Sequence, residues 1–326
     1  MEIQLTKCHG SGNDFLLIDE MTHGYTFTEE ERRDLSLLLC DRDSEFGADG
    51  ILFVGSSDKA DAKMRVFNSD GSEASMCGNG LRCVGRYVCE LLNKDEIIVE
   101  TMKADLKVNQ EQEIYEGLPT YKVEISPVLF DVDSLPMNID QETLQNEIVP
   151  SISDTLSFTA LAVPNPHLIS IVTPDQLALQ EEMAKKLNGP NEICPDGVNV
   201  SFVCPIKEGE IYVRTFERGV GFTNACGTAM SASTLTTCLL GLNQMEAVID
   251  VYNPGGKVRC AAHKKADGSY FIDLIGNATY LYHAKLDVEL SNSNVKILSK
   301  ADLEEQANYE KLEVHAKEYL DSTLFA

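Results

Sequence analysis

The sequence predicts an α+β protein made of two pseudo-symmetric domains that arose by internal duplication, each mostly strands with one dominant helix. Cys77-Gly78 and Cys226-Gly227 lie just before two long stretches of helical character, 81–92 and 230–240. Two other sequence blocks recur in the same order, about 150 residues apart. Short β-branched or alternating apolar runs fill much of the remaining chain, which is typical of strands.

The recurring blocks are short, so their order carries the inference. Gly12-Asn13-Asp14-Phe15 in the first half is similar to Pro164-Asn165-Pro166-His167 in the second. Asp49-Gly50-Ile51 is similar to Asp196-Gly197-Val198. Together with the two Cys-Gly helix starts, three matches in one order favour a duplicated unit over coincidence.

Strand-like and linker-like segments suggest where the domains divide. Four apolar runs predict strands, at 51–54, 96–100, 121–125 and 198–203. The segment 131–157 is acidic, contains Pro136 and Pro150, and has a pattern that fits a short helix at 141–148. It is the candidate boundary between the halves.

We therefore expect a first domain at 1–130, completed by a returning strand near 280–290, and a second domain at 131–279. The segment 291–326 is expected to be a helical C-terminal extension. Its apolar side chains follow a helical repeat with acidic residues between them, as at Leu312, Ala316 and Leu320.

Composition argues against several classes of function. The 326 residues include 27 Lys and Arg against 52 Asp and Glu, a formal net charge of -25, which repels nucleic acids and anionic membranes. No apolar run approaches the roughly 18 residues that a membrane span needs, and the start of the chain lacks a secretion-signal pattern. We expect a soluble cytoplasmic protein.

The ten cysteines are expected to be free thiols, because the chain is large and carries no export signal. No Cys-x-x-Cys pair supports a zinc site, and no complete dinucleotide or phosphate-loop motif supports a nucleotide cofactor. Cys8 is left open. Seven others are expected to be buried packing residues: Cys40, Cys83, Cys89, Cys194, Cys204, Cys238 and Cys260.

Cys77 and Cys226 differ from the other cysteines because each is expected at a helix N-terminus. There the helix dipole should lower the thiol pKa, and the free backbone amides can bind a carboxylate. Two such helix starts facing each other could hold one small carboxylate-bearing molecule between two thiols. One sulfur would remove the proton next to the carboxylate and the other would return a proton from the opposite side, which is racemisation or epimerisation.

Six sequence blocks between about Lys7 and Leu290 resemble the diaminopimelate epimerase family. They are Lys7 to Phe15, Asn68 to Arg82, Asn165-Pro166-His167, Gly197-Val198-Asn199, Glu217-Arg218-Gly219 with Ala225-Cys226-Gly227-Thr228, and Asn253-Pro254-Gly255-Gly256. The resemblance implies a cofactor-independent isomerase that interconverts LL- and meso-diaminopimelate for lysine and peptidoglycan synthesis. It also implies two domains, each a curled, mostly antiparallel sheet around a central helix, with the active site in the interdomain cleft.

The same resemblance implies residue roles and no metal. Cys77 and Cys226 are the acid-base pair, and His167 and Glu217 assist proton transfer. The substrate-binding positions are Asn13, Asn68, Gly78, Asn79, Asn165, Asn199, Arg218, Gly227 and Thr228. The chain departs from the usual family pattern at Phe222, at Ala229 and at Cys8.

Other functions remain open at this point. An amino-acid racemase on the same fold, for instance one acting on histidine, would need no grip on a second carboxylate. A non-catalytic amino-acid-binding protein, or a redox sensor that pairs Cys77 with Cys226, would use the same residues without turnover. A homodimer is expected, with a small-molecule substrate as the only other partner.

Overall fold

The computed structural model describes residues 1–326. The strands are β1 (Glu2–Gly10), β2 (Asn13–Asp19), β3 (Gly50–Gly55), β4 (Ala62–Asn68), β5 (Glu73–Ala74), β6 (Glu96–Glu100), β7 (Asp105–Glu111), β8 (Thr120–Ile125), β9 (Glu147–Ile148), β10 (Ser157–Ala162), β11 (Pro166–Ile171), β12 (Asn199–Lys207), β13 (Glu210–Glu217), β14 (Gly221–Phe222), β15 (Val248–Asn253), β16 (Gly256–Lys264), β17 (Tyr270–Asn277), β18 (Thr279–Glu289) and β19 (Asn294–Asp302). The helices are α1 (Glu20–His23), α2 (Glu29–Leu39), α3 (Gly78–Leu92), α4 (Gln180–Asn188), α5 (Gly227–Leu239) and α6 (Gln306–Thr323).

The chain forms two compact units, and each contains a long segment and a later one. The first unit comprises Met1–Val123 and Ile275–Lys311. The second comprises Glu124–Leu274 and Leu312–Ala326. The start of α6 therefore belongs to the first unit and the rest of that helix to the second.

The strand pairing repeats from one unit to the other, which confirms the predicted duplication and the α+β class. In the first unit β2 is parallel to β3, β3 antiparallel to β4, β4 parallel to β6 and β6 antiparallel to β7. In the second unit β11, β12, β13, β15 and β16 are related in the same sequence of pairings. The returning strand β18 pairs antiparallel with β1.

Each unit has one central helix, at the position predicted from its cysteine. The first three turns of α3 are almost entirely buried, as is most of α5, and each contacts several strands of its own unit. Helix α3 ends at Asn93, which adopts the left-handed conformation common at C-caps. Gly85 lets α3 approach β7 closely, since a β-carbon there would collide with Val108 Cγ1.

The two faces of each sheet are covered by different helices. In β3, Leu52 contacts α3 at Gly80, whereas Ile51 belongs to a buried cluster with Leu35 and Leu39 of α2. Alternate strand residues thus serve opposite faces. Helix α4 has the corresponding place in the second unit, where Leu187 is buried with residues of β10, β11 and β12. The cores lie on both faces of each sheet.

The short helix that the pattern suggests at 141–148 is wrong. The segment ends instead in strand β9, which pairs with β10. The Leu144 carbonyl accepts a hydrogen bond from the backbone of Ala160, and Asn146 has a φ of 54°. Backbone groups that bond to a neighbouring strand are not available for a helical turn.

The C-terminal extension is only partly helical, in contrast to the expectation for 291–326. It begins with β19, which pairs antiparallel with β18, and continues as α6. Val295 and Ile297 alternate with exposed residues and pack against the first unit's core. The helical repeat is real from 306 onward, where Leu312, Ala316 and Leu320 are buried. None of the helices is long and apolar enough to cross a membrane.

Candidate active site

Cys77 is the N-cap residue of α3, as the sequence predicts. Its backbone is extended, and its sulfur accepts a hydrogen bond from the Gly80 amide at 3.5 Å. The thiol donates to Asn13 Oδ1 at 3.6 Å. Gly78 and Asn79, in the first turn, are buried. The first half-site therefore joins a capped thiol to the amide of Asn13.

The pKa of the Cys77 thiol is raised to about 11, the reverse of the lowering expected at a helix start. Burial of the sulfur is the largest cause, because it disfavours the thiolate. Hydrogen bonds from the Gly80 and Asn79 amides lower the pKa but do not offset the burial. At neutral pH the resting group is the neutral thiol.

The side-chain amide of Asn13 is held by hydrogen bonds at both its nitrogen and its oxygen. Its Nδ2 donates to Asp49 Oδ2 at 2.6 Å, and its Oδ1 also accepts from Asn79 Nδ2 at 3.2 Å. Asp49 is further paired with Arg42 at 2.5 Å. Because Asp49 accepts only from the nitrogen end, the oxygen of Asn13 faces the Cys77 thiol. The sequence identified Asp49 as a repeated residue but assigned it no role.

Asn68 lies at the end of β4, beside this group rather than within it. Its side-chain nitrogen donates to Ser72 Oγ at 2.9 Å, and its backbone amide donates to the Ser72 carbonyl at 2.8 Å. These bonds close the turn that precedes β5. The neighbouring Ser69 amide donates to the Asp49 carbonyl at 3.0 Å, so the backbone here lies beside the first half-site, whereas the Asn68 side chain bonds to Ser72.

A network of buried hydrogen bonds fixes the backbone around the first half-site, the group formed by Cys77, Asn13, Asn79 and Asp49. The guanidinium of Arg82 is fully buried and donates to Ser11 Oγ at 2.9 Å, to Asn79 Oδ1 at 3.1 Å and to the Asn277 carbonyl at 3.1 Å. The Ser11 amide donates to Asn277 Oδ1 at 3.0 Å. A buried arginine so bonded ties the turn before Asn13 to the first turn of α3. Sequence reasoning missed this role, although Arg82 stands within a recognised motif.

Cys226 is the N-cap residue of α5 and forms the centre of the second half-site. It is 7 % exposed, and its sulfur lies 3.5 Å from Thr228 Oγ1. Gly227 and Ala229, in the first turn, are buried, while Thr228 is half-buried. The two predicted helix-start cysteines are both confirmed in this position.

The pKa of Cys226 is also raised above its usual value, first by burial and then by the charge of Glu217. Glu217, at the end of β13, hydrogen-bonds the thiol and accepts from Thr223 Oγ1 at 2.5 Å. A carboxylate next to a thiol disfavours the thiolate but can accept the thiol proton. The arrangement suits a group that is a proton donor at rest.

His167 is fully buried on β11, and its ring is neutral. Burial, followed by the charge of Arg218, lowers its pKa to about 3. Nε2 lies 3.1 Å from Asn165 Oδ1, so this nitrogen carries the proton, while the buried Nδ1 has no hydrogen-bond partner. The Nδ1 lone pair of this neutral imidazole is therefore an open hydrogen-bond acceptor.

Asn199 and Arg218 form a separate pair within the second unit. Asn199 is buried, and its Oδ1 accepts from the backbone amide of Arg218 at 2.9 Å. The Arg218 guanidinium is exposed and donates to the Asp196 carbonyl at 3.3 Å. The backbone is held while the planar group remains accessible, which suits recognition of a carboxylate.

The remaining cysteines behave as the sequence predicts. Those assigned to packing are all free and buried, and Cys8, which the sequence left open, is buried as well. No group of three or more His, Cys, Asp or Glu side chains is arranged to hold a metal ion.

Comparison with known proteins gives one consistent family. The sequence model of the family described as diaminopimelate epimerase matches residues 5–122 and 159–281. A diaminopimelate epimerase of Clostridium acetobutylicum is 46% identical over 308 residues, covering 94% of this chain and 92% of that protein. One from Listeria monocytogenes is 48% identical over 329 residues, covering 98% and 99%.

Solved structures share the fold at low sequence identity. The Bacillus anthracis phenazine biosynthesis protein of the PhzF family superposes with a TM-score of 0.66 at 18% identity, covering 88% of this chain and 100% of that one. This similarity shows the fold alone. It agrees with the repeated strand order and the single central helix of each unit.

Proposed function

The chain belongs to the diaminopimelate epimerase family, and we propose that it interconverts LL- and meso-diaminopimelate without a cofactor, on the route to lysine and peptidoglycan. One observation carries the chemical part of the proposal. Each unit places one cysteine at the N-cap of its central helix, with backbone amides of the first turn beside it. Two equivalent thiols from a duplicated unit suit a reaction that needs one acid and one base.

In the proposed mechanism one cysteine, as thiolate, removes the α-proton of diaminopimelate, so the C–H bond breaks and an S–H bond forms. The thiol of the other cysteine then gives its proton to the opposite face of the same carbon and becomes the thiolate. The configuration inverts, and the reverse reaction exchanges the roles. Atoms and charge balance without an oxidant or a metal.

The raised pKa of both thiols fits this cycle. A thiol that stays protonated at neutral pH carries the proton that the acid step needs, and a thiolate formed in a desolvated site is a stronger base than one in water. Glu217, hydrogen-bonded to Cys226, is the proposed proton acceptor that generates the thiolate there. His167, neutral with a free Nδ1, is proposed to assist proton transfer in the same half-site.

The substrate contacts are proposed from the two sets of helix amides and the polar residues around them. Amides at Gly78 and Asn79, and at Gly227 and Thr228, would bind the carboxylate at the reacting carbon, where negative charge develops. The distal amino-acid group would be held by Arg218 and four asparagines: Asn13, Asn68, Asn165 and Asn199. The exposed guanidinium of Arg218 could form two parallel hydrogen bonds with the second carboxylate.

We also propose that the protein acts as a homodimer in the cytoplasm. The proposal rests on the resemblance to the family, whose named relatives are bacterial. Light scattering across protein concentrations would test the dimer, and a constant mass of one chain, 35.9 kDa, would contradict it.

An exchange experiment in deuterated water tests the reaction and the substrate together. Purified protein is incubated with LL-diaminopimelate and, in parallel, with L-histidine. We expect deuterium at the α-carbon of diaminopimelate and formation of the meso isomer, with histidine unchanged. Exchange into histidine alone would favour the racemase alternative, and no exchange into either would favour a binding protein.

A further inference from the structure

The C-terminal extension contacts His9 near the end of β1, just before the turn that leads to Asn13. Gln306, the first residue of α6, has its Oε1 2.9 Å from His9 Nε2. The ring of Tyr309 packs edge-on against the His9 ring, with centroids 4.5 Å apart and planes at 71°. All three residues belong to the first unit. The extension therefore holds one histidine by a hydrogen bond and an aromatic contact.

His9 in turn holds the turn between β1 and β2. Its Nδ1 accepts a hydrogen bond from the Gly12 amide at 3.1 Å. Burial lowers the pKa of His9 to about 4, so the ring is neutral and carries one proton. Since Nδ1 is an acceptor, the proton is on Nε2, which donates to Gln306. This tautomer satisfies both bonds. The other tautomer loses the Gly12 bond and could pair with Gln306 only if that amide turned over, which would point its oxygen at Glu310, the carboxylate that now accepts from Gln306 Nε2 at 3.4 Å.

The turn held by His9 needs such support because its backbone is unusual. Ser11 and Gly12 have φ values of 55° and 79°, which only glycine adopts freely. The next residue is Asn13, whose oxygen meets the Cys77 thiol. A shift of this turn would displace that oxygen directly.

The start of α6 is itself fixed to the central helix. Glu305 forms two hydrogen bonds with the guanidinium of Arg86 in α3, at 2.6 and 2.7 Å. Arg86 also lies 3.6 Å above the Tyr280 ring, and the Tyr280 amide donates to Glu305. Paired, partly buried bonds of this kind give a defined position to the residue that follows, Gln306.

We propose that Gln306 is a positioning residue for the first half-site: it selects the His9 tautomer that holds the Gly12 amide and thereby sets Asn13 against Cys77. This rests on the proposed epimerase function. It assigns to the extension a role in the reaction beyond covering the surface. Gln306 acts through His9 and does not touch the reacting atoms.

Three variants of the full-length chain separate this role from simple packing. Gln306→Met keeps the length of the side chain but removes the acceptor for Nε2. Gln306→Glu keeps an acceptor and should rescue. Lys317→Met, an exposed position on the same helix, is the matched control for a polar-to-apolar change.

The measurements combine structure and kinetics. Nitrogen-15 spectra of labelled histidine, with His9→Gln used for assignment, report the tautomer, and amide exchange reports protection of Gly12. We expect Gln306→Met to lose the Nε2-protonated form and Gly12 protection, with kcat/KM for LL-diaminopimelate reduced about tenfold. Gln306→Glu and Lys317→Met should retain all three properties, and the thermal midpoint of Gln306→Met should stay near that of Lys317→Met.

The failures of the two proposals are distinguishable. A wild-type protein that does not turn over diaminopimelate contradicts the epimerase function, while the tautomer and amide measurements still decide whether Gln306 controls the turn. An unchanged tautomer or unchanged Gly12 protection in Gln306→Met overturns the inference. So does a changed tautomer with unchanged kcat/KM, or failure of Gln306→Glu to rescue.

Discussion

At the scale of single residues, the two thiols show that position in a helix does not alone decide ionisation. Cys77 and Cys226 both cap helices, yet burial raises the pKa of each thiol. The helix end contributes a few tenths to about 2 kcal/mol, whereas removal of a charge from water costs more. Both thiols are therefore protonated in the resting protein, and the proposed reaction requires that one of them first lose its proton.

Removal of either thiol should abolish the proposed reaction. Cys77→Ala and Cys226→Ala are each expected to lower kcat by at least about 100-fold, because one acid-base group is lost while the amides that bind the carboxylate remain. Calorimetry should still detect diaminopimelate binding. Cys89→Ala, a buried cysteine on the same helix α3, is the matched control and should keep its activity. Substantial turnover by either N-cap variant would contradict a two-thiol mechanism.

The buried neutral histidines predict how stability depends on pH. His9 and His167 have pKa values lowered to about 4 and about 3, so below pH 6.5 the unfolded chain binds protons that the folded chain does not. The free energy of unfolding should fall as pH falls, by on the order of 2 kcal/mol for each histidine between pH 7 and pH 5.

Urea unfolding of the wild type and of His167→Gln at pH 7 and pH 5 measures the contribution of His167 to this change in the free energy of unfolding. The variant should lose less stability than the wild type over the same interval. Equal losses would mean that folding does not lower the pKa of His167. Carboxylates that also titrate in this range are common to both proteins and cancel in the comparison.

At the scale of secondary-structure elements, the distance between central helix and sheet is set by small residues. Gly80 of α3 lies against Leu52 of β3, and Gly85 lies against Val108 of β7. Cys77 is the N-cap of this helix, so the distance between helix and sheet also determines the position of the thiol. Side-chain volume at these contacts therefore matters for the site as well as for the core.

Gly85→Ala tests this close packing. The added methyl group would meet the stiff Val108 side chain, and we expect a loss of about 1–3 kcal/mol in the free energy of unfolding, although alanine favours helices. Combining it with Val108→Ala should cost less than the two single changes added together, because the second change makes room for the methyl. A stabilised Gly85→Ala would show that the helix moves without penalty.

At the scale of the whole molecule, the charge of -25 is the dominant property. Like charges repel across a compact chain, and dissolved salt screens that repulsion. Many of the cations are already paired with acids, as Arg65 is with Glu29 and Glu73. The acidic residues in excess have no cation to pair with, and their mutual repulsion destabilises the folded state.

Salt should consequently stabilise the protein. We expect the thermal midpoint to rise by several degrees between ~20 mM and ~300 mM sodium chloride, where the screening length falls below the spacing of surface charges. Potassium chloride should act equally, since the effect is screening. A midpoint that falls with salt would indicate that surface ion pairs contribute more than the net repulsion.

The sequence by itself determined the duplicated plan, the two central helices and the two cysteines that begin them, because helix starts and apolar periods are local patterns. The tertiary structure decided what local patterns do not contain. It reversed the expected pKa direction of the thiols through burial, turned the amide of Asn13 by way of Asp49, and made β19 a strand by giving it β18 as partner. It also brought Gln306 to His9 across the length of the chain. Each of these depends on residues distant in sequence, and only folding sets their separation and their distance from water.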